Sequence, residues 1–366
     1  MSFIGDLTIG SLQAAITVIR GPLAADQSVG QAAAATVTAA RAWLKVRVVV
    51  TLSGGGVSGF VGCAFLKHTS SENLHFDAAA GVSSGAIVAG FHAWNPNSPS
   101  LGAPPAGIAR LLALRRPMIG AMSPGICSLR PFKWWVESVT GATALSSTTI
   151  PAYLAHTRIP SGLPGIASTG TLGEAMTAAG TFPGMYAPVD YEGSAMSDGA
   201  FSQVLVQPRN LRALGYDFVF ALNAFPRGLP ITGRNWLVRT TFDTLVALCQ
   251  PWRRTRDFQS SIQTMYARVA DSDAGFVGQW PGALVGDERS CEYHWIADPR
   301  EFESVEFDEM NELVEQASVF ATIHLINANS PAKTYKNLVI WRVMTLIFGV
   351  PIPKPAPVVV YEGPCT

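Results

Sequence analysis

The chain has 366 residues, of which 48% are apolar and only 14% are charged. This length is ample for one large domain or two smaller ones, and the apolar content excludes a disordered chain. Lys and Arg number 26, as do Asp and Glu. A balanced charge provides no overall attraction to nucleic acid, so we expect no nucleic-acid partner.

Neither the cysteines nor the termini indicate export. The five cysteines are scattered and lack CxxC spacing, which favours neither a disulfide framework nor a zinc site; they are Cys63, Cys127, Cys249, Cys291 and Cys365. The first 40 residues lack a basic leader followed by an apolar run. No stretch reaches the ~18 uninterrupted apolar residues of a membrane span. We therefore expect a cytoplasmic or peripheral membrane protein without a signal peptide or transmembrane helix.

Strand and helix patterns alternate in the first part of the chain. An Ala-rich helix is predicted at Gln31–Leu44, followed by a buried strand at Lys45–Leu52 (KVRVVVTL) and a helix at Phe60–His68. A second strand is predicted at Leu74–Ala80 and a second helix at Ser84–Trp94. This order predicts a parallel sheet that is covered by helices and joined by right-handed crossovers.

The later elements are read from the same periodicities. Further helices are predicted at Ile108–Arg116, Leu172–Ala179, Arg209–Leu214, Trp236–Cys249, Asp257–Val269 and Phe307–Leu325. Strands are predicted at Asp217–Asn223 and Cys291–Ile296. The proline-rich tail, Pro351–Thr366, is expected to form an extended strap along the surface.

A glycine-rich segment, Gly54–Gly59 (GGGVSG), directly follows the first predicted strand. Glycines allow a sharp turn in which several backbone N–H groups point at one position. Such a nest binds a phosphate or a developing oxyanion. The same letters also fit the dinucleotide-binding fingerprint, for which Asp77 would be the acidic residue downstream. Taken alone, the segment leaves both interpretations open.

Two further motifs contain a nucleophile and a carboxylate. Ser83 is the centre of a G-x-S-x-G motif at a predicted strand-to-helix junction, where small neighbours permit the strained turn that exposes a nucleophile. The following helix would direct its amino-terminal dipole at the reacting atoms. Asp198 opens an Asp-Gly-Ala motif. An Asp before Gly is by itself more often a turn residue, so its interest depends on the combination.

A nucleophilic serine needs a base, which is usually histidine. None of the histidines lies in a glycine-flanked loop of the catalytic type; they are His68, His75, His92, His156, His294 and His324. A carboxylate can accept the proton directly when burial raises its pKa. The order Ser83, Asp198, His294 also fits a three-member α/β-hydrolase, although such enzymes place the oxyanion loop much further upstream of the serine.

Taken together, the three motifs resemble those of the patatin-like phospholipases. GGGxxG, then GxSxG some two dozen residues later, then DGA, occur in that family's order. The stretch AAGTFPGMYAPV (Ala178–Val189) is similar to the family's A-S-x-A-x-P-G-x-F-x-P-V block. The similarity runs from about Lys45 to Asn223 and, more weakly, to the helix that ends near Leu325.

The resemblance implies a fold and a domain division. It implies an α/β fold with three α/β/α layers and a mainly parallel central sheet. The catalytic domain would span residues 45–330, between an N-terminal helical extension at 1–44 and a C-terminal apolar helix with a proline-rich tail at 331–366.

The resemblance also assigns roles to individual residues. Ser83 would be the nucleophile and Asp198 the base, with no third member. The glycine loop would form the oxyanion hole through backbone N–H groups; its residues are Gly54, Gly55, Gly56 and Val57. Further glycines would support the motifs; these are Gly59, Gly81, Gly85 and Gly199. The reaction implied is hydrolysis of lipid acyl esters through an acyl-serine, with no metal or organic cofactor.

The resemblance leaves two alternative functions open, and this sequence differs from the family pattern at two places. An acyltransferase would use the same serine, and a lipid-binding scaffold of the same fold would have weak catalysis. Ser58 stands where the family often has Arg or Lys, so Lys67, Arg115 or Arg130 are the cations left to meet a lipid phosphate. The family usually has an extended strand before the block, whereas Ile159–Ile166 is interrupted by prolines here; either the sheet differs locally or that strand is Pro151–Thr157.

Three basic and aromatic segments suit a membrane or lipid-droplet surface. They are Ile108–Arg116, the group Lys133, Trp134 and Trp135, and Leu338–Phe348. The alternative is that these helices pack on the core and expose solvated arginines. Of the three, residues 108–135 are the favoured contact because they follow the nucleophile's helix and could cover the active site as a lid. The sequence specifies no oligomeric state.

Overall fold

A computed structural model gives the fold of the protein. It describes residues 47–71, 74–98, 128–159, 161–181, 186, 188–203 and 205–224, together with the backbone of strands at 290–296 and 358–362. The predicted helices at 31–44, 108–116, 236–249, 257–269 and 307–325 and the apolar stretch at 338–348 lie outside the described residues. Within the described part of the chain, no helix has the length and apolarity needed to cross a bilayer.

The described strands form one mixed sheet. They are β1 (Val48–Leu52), β2 (Ala78–Val82), β3 (Ala152–Arg158), β4 (Pro164–Ile166), β5 (Val189–Tyr191), β6 (Ser194–Asp198), β7 (Phe218–Asn223), β8 (Ser290–Ile296) and β9 (Val358–Glu362). Their order is β5-β6-β3-β2-β1-β7-β8-β9, and β4 pairs with β3. All pairs from β3 through β2, β1, β7, β8 and β9 are parallel. Pairs that involve β4, β5 or β6 are antiparallel, so the predicted parallel sheet holds only for part of the structure.

The helices cover the sheet unevenly. They are α1 (Val61–Ser71), α2 (Ser84–Trp94), α3 (Arg130–Thr140), α4 (Leu172–Gly180) and α5 (Pro208–Ala213). Short 3-10 helices lie at Gly56–Phe60, Leu145–Ser147 and Gly199–Phe201. The larger core cluster packs α1 to α4 against one face of the sheet, and a smaller cluster packs α5 against the other. The fold is therefore α/β with helices on both faces of a mixed sheet.

Strand β1 illustrates why the centre of the sheet is apolar. Its five residues, VVVTL, are all buried. Val48 and Val50 belong to the larger cluster, whereas Val49 packs with Leu211 and Tyr216 in the smaller one. A strand that is buried on both faces needs a continuous apolar run instead of an alternating one, and branched side chains suit the extended backbone.

Most element boundaries agree with the sequence pattern, with three differences. Helix α2 spans the predicted residues, but β2 begins later than predicted because Asp77 ends the preceding turn, where its carboxylate accepts a hydrogen bond from the Val48 N–H at 2.6 Å. The predicted strand at Pro151–Thr157 corresponds to β3, but a short strand, β4, also forms within the proline-interrupted segment Ile159–Ile166. The tail is not only a surface strap, because β9 joins the edge of the sheet.

Strand β3 brings the ends of β2 and β6 together. Val82, the last residue of β2, pairs with Ala155, and Asp198, the last residue of β6, pairs with the next residue, His156. Strand β4 occupies one edge of β3 at both positions. Because a strand has only two edges, β2 and β6 share the other edge and meet end to end. The residue that follows β2 is therefore directed at the residue that ends β6.

Candidate active site

Ser83 lies at a strained turn between β2 and α2. It has φ 53° and ψ −127°, in the positive-φ region that non-glycine residues seldom adopt. Glycines make the turn sterically feasible: an ideal Cβ on Gly85 would lie 2.5 Å from the Leu52 carbonyl oxygen, and one on Gly81 would overlap the Gly85 carbonyl group. The G-x-S-x-G motif thus forms the strained strand-to-helix turn that its sequence predicts, the geometry of a nucleophile elbow.

The Ser83 hydroxyl is hydrogen-bonded to Asp198. Ser83 Oγ donates to Asp198 Oδ2 at 2.6 Å, although the two residues are 115 positions apart in the sequence. The other carboxylate oxygen, Oδ1, accepts from the Ala200 N–H at 2.8 Å. Ser83 is 9% exposed and Asp198 is 1% exposed. The proximity predicted for the pair is therefore present, with the serine retaining slight access to solvent.

Burial makes the Asp198 carboxyl an unusually good proton acceptor. Loss of hydration raises the pKa of Asp198 to about 7, and the hydrogen bonds from Ser83 and from the Ala200 N–H oppose that rise. An ordinary Asp, with a pKa near 3.8, is too weak a base to take a proton from a hydroxyl at neutral pH. A carboxylate with a pKa near the working pH combines basicity with a useful ionised population.

Two threonines that the sequence did not single out hold the Asp198 backbone. The Asp198 N–H donates to the Thr181 carbonyl at 2.9 Å, and Thr157 Oγ1 donates to the Asp198 carbonyl at 2.8 Å. Gly199 packs so tightly that an ideal Cβ would lie 2.5 Å from the Ala155 carbonyl oxygen. Thr181 falls inside the Ala178–Val189 block, which is its sequence signal, whereas Thr157 carries none.

The glycine loop lies directly beside the serine. An ideal Cβ on Gly54 would be 2.7 Å from Ser83 Cβ. Gly55 and Gly56 have φ values of 138° and 61°, conformations that favour glycine. Ser53 anchors the start of the loop, because its Oγ donates to the Gly54 carbonyl at 3.0 Å and accepts from the Ala224 N–H at 2.8 Å.

The loop then continues into the 3-10 helix Gly56–Phe60, which contains Val57 and Ser58. Gly59 lies so close to Ser84 that an added Cβ would overlap the Ser84 hydroxyl oxygen. The segment predicted to form the oxyanion hole is therefore adjacent to the elbow. The cations predicted to bind a lipid phosphate are dispersed: Lys67 is exposed on α1, Arg130 is the first residue of α3, and Arg115 lies outside the described residues.

The position of Asp77 excludes a dinucleotide-binding site at the glycine loop. Its carboxylate binds the N–H of Val48, the first residue of β1, whereas the glycine loop follows Leu52, the last residue. At about 3.3 Å per residue, the two features lie roughly 13 Å apart at opposite ends of one strand. An acidic residue at the amino end of the strands cannot contact a ribose whose pyrophosphate is bound at the carboxyl end.

Two buried histidines, His92 and His156, belong to the core of the fold. His156 pairs with Asp198 in the strand register, but its ring packs against Tyr191, with centroids 5.8 Å apart, and over Gly165. Both of its ring nitrogens are buried without a hydrogen-bond partner among the described residues. Burial lowers the pKa of His156, and it lowers that of His92 to about 4. Burial in the core therefore disfavours the charged form of both histidines.

Residues 50–206 match a protein-family model described as patatin-like phospholipase. The matched segment begins within β1, ends just before α5, and contains the glycine loop, Ser83 and Asp198. This segment is thus similar to the family that the three ordered motifs resemble.

Other comparisons add little to this assignment. The search of the curated proteins gives no match. Among solved structures, VipD from Legionella pneumophila is similar over 82% of this chain and 84% of its own, at 9% sequence identity and a TM-score of 0.33. A likeness at this level has no functional implication.

Proposed function

We propose that the protein is a lipid acyl hydrolase that cleaves carboxylic esters through an acyl-serine intermediate formed on Ser83. The observation that carries this proposal is the 2.6 Å hydrogen bond from Ser83 Oγ to the buried Asp198 carboxylate. A nucleophile within hydrogen-bond reach of a base of suitable pKa is the requirement for nucleophilic catalysis. The similarity of residues 50–206 to the patatin-like phospholipase family supports the same reaction class.

In the acylation half-reaction, Ser83 Oγ attacks the ester carbonyl carbon while its proton passes to Asp198 Oδ2. The new O–C bond places negative charge on the former carbonyl oxygen. Collapse of this tetrahedral intermediate breaks the bond to the alcohol, and the leaving oxygen takes the proton back from Asp198. The products are an acyl-serine and a free alcohol, here a lysolipid or partial glyceride.

In the deacylation half-reaction, water attacks the acyl-serine and gives a proton to Asp198. Departure of Ser83 Oγ then releases the fatty acid, and the proton on Asp198 returns to the serine. A single carboxylate thus acts as base and acid in turn, which is consistent with a pKa of about 7. A carboxyl with an ordinary pKa would be a weaker base and would take the proton from serine or water less readily.

The negative charge of each tetrahedral intermediate needs nearby hydrogen-bond donors. We assign this role to the backbone N–H groups of Gly55, Gly56 and Val57, with Gly54 shaping the approach to Ser83. Support comes from the tight Gly54–Ser83 packing and from the positive φ angles of Gly55 and Gly56. Preorganised donors of this kind each contribute on the order of 10²–10³ in rate.

The substrate proposed is a lipid ester of a membrane or a storage particle, drawn from phospholipids, galactolipids and neutral glycerides. Ser58 carries no charge, so the glycine loop provides no side-chain cation for a lipid phosphate at that position. Recognition at the reacting ester would therefore depend on the acyl group and the carbonyl more than on the head group.

The test compares wild-type protein with Ser83→Ala, Asp198→Asn and a matched control, Ser84→Ala. Ser84 is also buried and adjacent in sequence, but its hydroxyl has no partner among the described residues, so its removal leaves the pair intact. Fatty acid release is measured on phosphatidylcholine vesicles and on a triglyceride emulsion, with and without an added alcohol acceptor. Circular dichroism verifies folding of each variant.

The proposal expects release by the wild-type protein and by Ser84→Ala, and a loss of about 10³-fold or more for Ser83→Ala and Asp198→Asn. Appearance of a new ester with the added alcohol would identify a transferase that uses the same serine. Release that survives Ser83→Ala would exclude the proposed nucleophile. Binding of vesicles without release by any protein would indicate the lipid-binding scaffold instead.

A further inference from the structure

The outward side of α3 displays a tryptophan that the fold does not cover. Trp134 is 63% exposed. The buried residues of this helix, Phe132, Val136 and Thr140, lie on its opposite side. Exposed residues Arg130, Pro131 and Ser138 share the outward side with Trp134, and Val139, at 40% exposure, flanks it. We call Arg130, Pro131, Trp134 and Ser138 the Trp134 face.

The Trp134 face belongs to a helix that is rigidly attached to the active-site scaffold. Lys133 Nζ donates to Glu174 at 2.8 Å, and Thr171 Oγ1 donates to Glu137 at 2.8 Å, so α3 and α4 lie side by side in antiparallel directions. The carbonyl of Thr181, just after α4, accepts the Asp198 N–H. The amino end of α3, which carries Arg130, therefore points towards the same edge of the sheet as Ser83 and Asp198.

The charges around the Trp134 face are asymmetric. Lys133 lies 2.8 Å from Glu174 and 3.7 Å from Glu137, so this one cation offsets part of the charge of the two carboxylates of the helix pair. Among the described residues, no carboxylate forms an ion pair with Arg130. The sequence from Ala78 to Val136 contains no Asp or Glu but five cations, in a chain of zero net charge; the cations are Arg110, Arg115, Arg116, Arg130 and Lys133.

We propose that the Trp134 face docks onto an anionic phospholipid membrane. Trp134 would enter the headgroup region, where the amphipathic indole ring is most stable, and Arg130 would pair with anionic lipid groups. A single exposed hydrophobic residue needs no explanation by itself. Three observations together favour a charged lipid surface: an exposed tryptophan, an arginine without an ion-pair partner among the described residues, and an acid-free sequence leading into a helix whose amino end points to the active-site edge.

This inference rests on the proposed function for the identity of the substrate, and it adds where the lipid surface meets the protein. Docking through α3 would hold the active-site edge next to the bilayer, so that an ester reaches Ser83 without full extraction into water. It also assigns different roles to the two groups: Trp134 supplies affinity for any bilayer, and Arg130 supplies preference for anionic lipid.

The experiment measures flotation of the full-length protein with two kinds of vesicle. One consists of phosphatidylcholine alone and the other of phosphatidylcholine with phosphatidylserine, and both are tested at low and high salt. The variants are Trp134→Ala and Arg130→Gln. The matched controls are Leu163→Ala, which removes an apolar side chain that is 57% exposed in the turn between β3 and β4, and Arg209→Gln, which removes an exposed arginine of α5 on the other side of the sheet.

Trp134→Ala should weaken binding to both vesicles by about tenfold, because it removes most of the apolar area that enters the interface. Arg130→Gln should weaken binding to the anionic vesicles by about fivefold and leave binding to neutral vesicles unchanged. High salt should abolish the difference between Arg130→Gln and wild type. Both control variants should bind as wild type does.

Three results would overturn the docking proposal: wild-type protein that does not float with anionic vesicles, a Trp134→Ala variant that binds normally, or control variants that weaken binding as much as Trp134→Ala does. Hydrolysis of a water-soluble short-chain ester is measured in parallel and should be unaffected by Trp134→Ala. If the wild-type protein floats with the vesicles but does not hydrolyse the short-chain ester, the proposed hydrolase function is contradicted, whereas the docking proposal is still supported.

Discussion

Gly54 leaves no room for a side chain beside Ser83, since an ideal Cβ at Gly54 would lie 2.7 Å from Ser83 Cβ. A methyl group there must displace either the elbow or the glycine loop. Gly54→Ala should therefore lower kcat on a soluble ester by roughly 100-fold or more, because the nucleophile and the oxyanion donors lose their mutual geometry.

The control for Gly54→Ala is Gly180→Ala. Gly180 ends α4, and a Cβ added there meets only Ile87 Cδ1, at 3.8 Å. This variant should retain activity within about twofold, while the helix gains up to about 1 kcal/mol of propensity. A Gly54→Ala enzyme with normal kcat would show that the loop adjusts freely and that its packing on Ser83 has no catalytic role.

The pH dependence of hydrolysis should follow the ionisation of Asp198. Burial raises the pKa of Asp198 to about 7, and the base form is the ionised one. We expect kcat/KM on a soluble ester to rise with pH, to reach half its maximum near pH 7, and to fall about tenfold per pH unit on the acid side. A profile that is flat from pH 5 to pH 8 would contradict a carboxylate base with a raised pKa.

The same carboxyl should make the folded protein less stable as pH rises. Between about pH 3.8 and pH 7 the folded state retains a proton on Asp198 that the unfolded state has released, so the free energy of unfolding decreases with pH in this window. Asp198→Asn lacks this ionisation. Its stability advantage over wild type, measured by urea unfolding, should grow by about 2 kcal/mol from pH 5 to pH 8. If the stability difference between Asp198→Asn and wild type instead shrinks from pH 5 to pH 8, the pKa of Asp198 is not raised in the folded protein.

A three-member mechanism through His294 is unfavourable on geometric grounds. His294 belongs to β8, and β7 and β1 separate β8 from β2, which leads into Ser83. Three strand spacings of about 4.8 Å amount to roughly 14 Å, beyond the reach of a histidine side chain. His294→Gln should keep kcat within about twofold of wild type on a soluble ester. A loss of 100-fold or more, with folding intact, would support the three-member alternative.

The parts of the fold that sequence predicted well are those with strong local signals. Helix α2 has its predicted limits because Ser83 and Ser84 follow a buried strand and the Pro-rich segment after Asn95 ends the helix. The glycine spacing around Ser83 identifies the elbow because that spacing is itself a steric requirement, whereas Asp198 is identified only through its combination with the other motifs and the family resemblance.

The parts that sequence did not predict depend on contacts between distant segments. Strand β6, SAMSD, has no alternation that distinguishes it from a loop, and its antiparallel direction is set by pairing with β3. The support that Thr157 gives Asp198 crosses 41 positions and has no local pattern. Asp77 fitted a cofactor motif by spacing alone, and only the strand register showed that it lies at the wrong end of the sheet.

The end-to-end meeting of β2 and β6 on one edge of β3 has a consequence for how the protein matures. The elbow can be complete while the base is still absent, because Asp198 arrives with a segment that pairs only after β3 is in place. Assembly in which β3 pairs with β2 before it pairs with β6 would therefore produce a stage with a formed serine turn but no proton acceptor. Labelling by a serine-directed phosphonate during refolding would time the docking of β6, because Ser83 should gain reactivity only when Asp198 arrives.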